Sequence, residues 1–396
     1  MSGTLGNIYN NINFALQLHS EIMTHLQEQV STGSRINRAS DDPSSAYRVL
    51  GLYSQKSSLE NYMDNLSGVV DVLEFCTTVI DGMTSSLTDA NLRLTQVTSG
   101  IHDQQTRDRT AEGINDLLEQ MILLANSRHM NQYLFGGSNT ATAPYVAQQT
   151  DGEITSVTYQ GSLEDRNIGV APGIQSSAFY IGDKIFRSDN RGTPVFTGST
   201  GAAAGTGTSS ATGYVWLEVT QPGGAGNPYK LSIDGGLTTV DADGSANQAV
   251  TDSLSGKVLY VDTTAINSTG VDLVSIPGTH DIFNTLITLR DILKNKKGVS
   301  ETQLEQMLNN SISSLDELNN LLLQTSVSAG SKIGFLDGLK KRLENLKFDT
   351  EDETTRLQQA DIAQVAVDLS RREVLYQMSL SVAGKLLSLS LLDFID

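Results

Sequence analysis

Apolar residues fall at helical spacing toward both ends of this chain and alternate with polar ones in its middle. Near the start, Leu5, Ile8, Ile12, Ala15, Ile22 and Leu26 recur every three or four residues, interrupted by His19. That stripe predicts one amphipathic helix, and Gly33 stands where a left-handed residue closes a helix. A second pattern is longer. Steps of three and four from Leu52 meet Gln55, Leu59, Tyr62, Leu66, Val69, Leu73, Cys76, Ile80, Met83, Leu87, Ala90, Leu94, Val97 and Ile101, and only Gln55 is polar. In a chain that is 38% hydrophobic, chance would make about six of those fifteen positions apolar. A sustained seven-residue repeat predicts a coiled-coil seam. About fifty residues of helix extend ~75 Å, which predicts a rod rather than a globule.

Between the two helices lies "STGSRINRASDDPSSA", Ser31 to Ala46. Asp42 suits an N-cap, Pro43 the first helical position, and Asp41 adds negative charge near the positive end of the dipole. The segment therefore predicts a helix stop, a polar joint and a helix start. Ile36 is its only sizeable aliphatic residue and is placed to pin the joint to a neighbour. A third helix is expected from about Thr106 to Tyr133, with Ile114, Leu118, Met121 and Ala125 on one face. Arg128 and His129 suit its negative end, and Gly136 a left-handed cap.

From Gly137 to about Thr279 the pattern changes. "ITSVTYQ", "YVWLEVT", "YKLSID" and "KVLYVD" read as strands, and "GSTGAAAGTGTSSATG" reads as a mobile surface loop. Helical spacing returns at about Asp281 through Ile282, Leu286, Leu289 and Leu293, then Leu304, Leu308, Leu315, Leu318 and Leu322, then Leu336, Leu339, Leu343 and Leu346. The acidic run Asp349 to Glu353 is expected to be a joint. The last helix carries Ile362, Val365, Leu369, Leu375, Tyr376, Met378, Val382, Leu386 and Leu389. An apolar C-terminus on an acidic chain calls for a partner to cover it. The fold class that results is mainly α with an inserted β domain, the N- and C-terminal segments forming a long antiparallel helical rod.

Composition narrows the function. With 27 Lys and Arg against 45 Asp and Glu, the net charge is −18. That argues against a nucleic-acid surface or anionic membrane. No apolar run approaches the roughly 20 residues that span a bilayer. The first residues lack the basic, apolar and cleavage segments of a secretory signal. A single cysteine, Cys76, leaves no intrachain disulfide.

Candidate chemistry is thin. None of the five histidines forms a zinc pair, and His19 and His25 lie six residues apart, a poor spacing for one metal. "GAAAGTG" does not follow a strand and open a helix, so a linker is the better reading than a phosphate loop. Cys76 on the seam suits a buried core thiol better than a nucleophile. Asp41 and Asp42 before a proline suit capping better than acid–base work. No catalytic residue, cofactor or metal is expected.

The order of these segments resembles the bacterial flagellin superfamily. An amphipathic helix, "STGSRINRASDDPSSA" and a long helix come first, and a helix ending "LLSLSLLDFI" comes last. "NQYLFGGSNTATAPY", with Leu134, Phe135, Gly136 and Gly137, resembles the turn of the hook–filament junction branch, although Tyr145 stands where that branch often has Phe. "YQGSLEDRNIGVAPG" resembles a strand pair of the same branch. The receptor-recognition segment of flagellins is not reproduced around Arg93, so no immune-receptor role is carried over.

The resemblance implies a structural subunit, not an enzyme, exported without a cleaved signal peptide to the extracellular flagellum. Its implied partners are copies of itself, hook-associated protein 1, flagellin and an export chaperone at the C-terminal helix. The implied layout is an inner coiled coil of residues 1–38 and 354–396, a rod of 39–136 and 281–353, and an outer β domain of 137–280. Gly33, Arg35, Ile36, Asn37, Asp41 and Asp42 would form the spoke. Ile8, Ile12, Ile22, Leu26, Leu369, Tyr376, Val382, Leu386 and Leu389 would form the assembly face. Rival readings are flagellin itself, a secreted coiled-coil effector, and a binding module or enzyme built on the β domain.

Overall fold

The computed structural model describes residues 2–100 and 103–395, with the side chains of 2–6, 8, 9 and 386–395 outside the described set. The expectations placed on Ile101 and His102, and on the side chains of Leu5, Ile8, Leu386 and Leu389, fall outside the described residues. The helices are α1 (Ser2–Thr32), α2 (Pro43–Thr98), α3 (Gln104–Ala125), α4 (Gly182–Ile185), α5 (Ile282–Leu293), α6 (Glu301–Gln358) and α7 (Ile362–Ile395). Among the described residues all strands lie between α3 and α5, so the fold is mainly helical with an inserted β-rich region. Contacts divide the chain into two units, residues 1–64 with 339–396, and residues 65–338.

In the second unit the seam of α2 is covered. Leu66, Val69, Leu73, Cys76, Ile80, Met83, Leu87, Ala90, Leu94 and Val97 are buried. So are Ile114, Leu118 and Met121 of α3, Leu286, Leu289 and Leu293 of α5, and Leu304, Leu308, Leu315, Leu318, Leu322 and Leu336 of α6. Asn91 donates to Asp316 at 2.7 Å and Ser326 to Asp81 at 3.0 Å, which sets α2 and α6 antiparallel here. Cys76 is 0% exposed, and burial pushes its thiol up to about 12.

Three antiparallel hairpins follow α3. They are β1 (Arg128–His129) with β2 (Gln132–Tyr133), β3 (Tyr145–Thr150) with β4 (Glu153–Tyr159), and β5 (Asn167–Ala171) with β6 (Ile174–Ser177). The remaining strands are β7 (Val195–Thr197), β8 (Ala203–Ala204), β9 (Gly213–Thr220), β10 (Lys230–Ser232), β11 (Val240–Asp241), β12 (Gln248–Thr251), β13 (Val258–Asp262) and β14 (Gly270–Ile276). They form sheets of order β11-β10-β9-β14-β7 and β12-β13-β8. Leu217, Val219, Leu231, Val250, Leu259, Val261, Val274 and Ile276 make the core of this region. Alternation turns Tyr214 of β9 the other way, and its hydroxyl reaches Ser314 of α6 at 2.7 Å.

Several expectations need correction. The third helix stops at Ala125, not Tyr133. The Asn126 side chain is held by the backbone of Tyr145, donating to its O at 2.9 Å and accepting from its N at 3.0 Å. Arg128 and His129 then enter a strand, and Met130 (φ 46) with Asn131 (φ 63) makes the hairpin turn. The left-handed glycine is Gly137 (φ 61), not Gly136. Tyr159 to Gly173 holds the end of β4 and all of β5, which pair with other strands rather than with each other. The Gly198–Gly213 stretch is no free loop, because Thr200, Ser209 and Ala211 are buried and Ala203–Ala204 pairs with β13. A Cβ at Gly207 would meet the Tyr260 ring at 2.5 Å, so its glycine permits a close approach. Finally, Asp349 to Glu353 is no joint. It lies inside α6, with Thr350 and Thr354 buried and bonded back to carbonyls four residues earlier.

Candidate assembly joint

The first unit contains the chain reversal between α1 and α2. Gly33 takes φ 68 and its N–H donates to Gln29 O at 2.9 Å, which ends α1. Asp42 accepts from Ser45 N–H at 3.0 Å and starts α2 as its N-cap, with Pro43 first in the helix. The hydroxyl and amide of Ser45, then the Arg35 guanidinium, hold the Asp42 carboxyl down at about 2.

Asp41 is not used as a helix-end charge. Its Oδ2 accepts from the N–H groups of Arg38 at 2.8 Å and Asn37 at 3.0 Å, and its Oδ1 lies 3.2 Å from His25 Nε2. The backbone amides of Arg38 and Asn37, then the His25 imidazole, keep this carboxyl below its usual range. Thr32 donates to the Asn37 side chain at 2.9 Å, and Asn37 donates to Ser34 O at 3.2 Å. Ile36 is half-buried, Arg35 exposed.

The other half of the joint comes from the far end of the chain. Arg35 N–H donates to Gln358 O at 2.6 Å, Ala360 N–H donates to Gly33 O at 3.0 Å, and Arg35 Nη2 reaches Leu357 O at 3.2 Å. The loop thus adds an isolated bridge, Ser34 to Gln359, to the short break between α6 and α7. Sequence reasoning missed this partner. Its signal was Asp361, which caps α7 by accepting from Gln364 N–H at 3.1 Å. Antiparallel ties brace the start of α2 against the end of α6: Arg48 to Glu353 at 2.7 Å, Lys56 to Glu351 at 2.8 Å and Lys347 to Glu60 at 2.9 Å.

From this joint α1 and α7 run antiparallel, with His19 3.4 Å from Arg372. Ile12, Ile22, Leu26, Leu369 and Tyr376 are half-buried between them. The opposite face of α7 stays open: Val374, Met378 and Val382 are 50–60% exposed. Phe14 of α1 is 67% exposed.

The Leu134–Gly137 turn lies in the second unit and is a backbone crossing. Leu134 and Phe135 are fully buried, with the Phe135 ring tilted 58° to that of Phe186 and 4.9 Å from it. Leu134 O accepts from Tyr180 N–H, Phe135 O from Gly182 N–H and Gly136 O from Ser162 N–H. A Cβ at Gly136 would sit 2.2 Å from Asn139 O, and one at Gly137 2.5 Å from Ser162 O. Both glycines are therefore steric requirements.

Residues 7–140 match the family described as the bacterial flagellin N-terminal helical region. Over those residues the chain is similar to the N-terminal helical region of bacterial flagellins. It is 26% identical over 162 residues to flagellar hook-associated protein 3 of Escherichia coli, covering 41% of this chain and 49% of that one. Over 146 residues it is 26% identical to hook-associated protein 3 of Salmonella typhimurium, covering 33% and 46%. It spans about half the length of these relatives. Among solved structures, a hook-associated protein-3 from Legionella pneumophila superposes with TM-score 0.54 at 15% identity, covering 77% of this chain and 98% of that one. FlgL of Xanthomonas campestris gives 0.52 at 17%, covering 76% and 98%. At such identities these two show a shared fold. The helix–joint–helix at Gly33 to Pro43 falls inside the matched region.

Proposed function

We propose that this chain is a structural subunit of the bacterial flagellum, an adaptor at the hook–filament junction between hook-associated protein 1 and flagellin. The observation that carries the reading is its likeness to hook-associated protein 3 of two bacteria. The physics supports an assembly role: α1 and α7 cover one face of each other, and Val367, Val374, Met378 and Val382 of α7 stay exposed. Ile8, Ile12, Ile22, Leu26, Leu369, Tyr376, Val382, Leu386 and Leu389 belong to the helices that meet neighbouring copies. Gly33, Arg35, Ile36, Asn37, Asp41 and Asp42 form the spoke that fixes their direction. Before export, a chaperone covers the C-terminal helix, and the product lies outside the cell without cleavage of a signal peptide.

The test is a deletion strain. It is expected to build hooks and shed flagellin into the medium. A strain that still carries filaments would contradict the adaptor reading. Flagellin, the rival, would show itself if the purified chain polymerised into long filaments instead of stopping after a short zone.

A further inference from the structure

In the second unit, β9 and β14 meet α6 through a buried polar pocket around His280, which is 1% exposed. Its Nε2 lies 3.1 Å from Ser275 Oγ on β14 and 3.2 Å from Ser314 Oγ on α6. Tyr214 of β9 donates its hydroxyl to the same Ser314 Oγ at 2.7 Å, and its ring centroid is 4.7 Å from the imidazole. Gly278 N–H donates to Glu317 Oε2 of α6 at 2.9 Å. Two buried atoms are left without partners, His280 Nδ1 and Glu317 Oε1.

The hydrogen-bond chain has a direction. Ser314 Oγ accepts from Tyr214, so its own proton is free to go to His280 Nε2. With Ser314 donating, the neutral ring accepts at Nε2 and carries its proton on Nδ1. A buried donor and a buried acceptor therefore both stand unmatched, which makes the pocket sensitive to one added charge.

We propose that His280 is a proton-operated latch, whose neutral ring holds β9 and β14 against α6 and whose protonation releases them. Protonation adds a hydrogen at Nε2, where the Ser314 hydroxyl already donates. Nε2 can then only donate, so the Ser314 proton must turn away and Ser314 Oγ must accept from both Tyr214 and the ring. The new charge also sits in a site closed to water. Glu317 is the charged group that acts on the ring and opposes this cost. Ser275 on β14 is uncharged, and burial raises the pKa of Tyr214 on β9, so it stays protonated. Asp281 turns its carboxylate to the N–H groups of Phe283 and Asn284 at the start of α5. Burial already pushes the imidazole below its ordinary value, in the same direction. A depressed value means the latch is fully closed above the unfolded pKa near 6.5 and weakens as pH falls below it, opening up to about tenfold more per pH unit.

The chain's one tryptophan, Trp216, lies two residues along β9 from Tyr214 on the same face, and reports the event. On the full-length protein, Trp216 emission and β9 amide exchange are followed from pH 8 to pH 5. The expected result is a red shift and loss of β9 protection beginning below about 6.5, absent in His280→Gln. A parent chain that stays unchanged to pH 5, or a His280→Gln chain that titrates like the parent, overturns the latch. If His280→Gln does not fold, ring-proton NMR of His280 in the unaltered chain decides. Protonation coincident with the Trp216 change supports the latch, and free titration with Trp216 unmoved overturns it.

Discussion

Two stretches of this chain carry similar apolar helical stripes and treat them differently. In the second unit, the α2 seam from Leu66 to Leu94 is 0–1% exposed at every step. In the first unit, α7 buries Val365 and leaves Val367, Val374, Met378 and Val382 at 50–63%. Both stripes would be stabilised by burial, at roughly 1.5–3 kcal/mol per large aliphatic side chain. The seam finds its cover within the chain, in α3, α5 and α6, whereas the outer face of α7 does not. A periodic pattern therefore tells which face wants covering and leaves open whether the cover is intramolecular. An uncovered face beside a rigid joint is what a subunit needs if neighbours complete its core.

The contrast breaks most visibly when charge is placed on the open face. Met378→Asp with Val382→Asp should weaken association by roughly 3–6 kcal/mol, two burials' worth. The monomer's melt should not change. Sedimentation of the mixture with hook-associated protein 1 and flagellin reads the first, calorimetry the second; an unfolded monomer would mean the face is core.

Next come single truncations. Leu73→Ala or Met83→Ala should cost about 2–5 kcal/mol in denaturant unfolding of the isolated chain. Met378→Ala should stay within about 0.5 kcal/mol. Equal costs would erase the distinction between the two stripes.

Gly33→Val sharpens the account of the joint. A Cβ there meets nothing within 4 Å, so the only penalty is its φ of 68. A loss of roughly 1–2 kcal/mol is expected, seen as faster exchange at the end of α1. The smallest effect is acid titration of Asp42. Its folded value, about 2, is below the unfolded one, which is near 3.9. The cap's contribution is thus complete above about 3.9 and is lost as pH falls toward 2. Asp42→Asn should abolish that step in the pH dependence of α2 exchange, and an unchanged profile would assign it to another group.

What the sequence made legible was local. Asp42, Pro43 and Gly33 act through bonds within four residues of themselves, and the seam declares itself by period. What stayed hidden depends on distant groups. The spoke's other half lies 322 residues away at Leu357. The charge run Asp349 to Glu353 looked like a break, yet Glu351 and Glu353 are neutralised by Lys56 and Arg48 across the helix pair. The turn at Met130 and Asn131 has no glycine to announce it. The glycine-rich strap near Gly207 is ordered by Tyr260, which no local reading of composition supplies.

The central claim is that the terminal helices are incomplete without neighbours while the seam is complete alone. Amide hydrogen exchange on the isolated full-length monomer tests it directly. The account predicts exchange approaching unprotected rates along α1 and along α7 beyond Tyr376, with α2 from Leu66 to Leu94 opening only at the global unfolding free energy. Protection of α7 equal to that of the seam, in the absence of any partner, would contradict it.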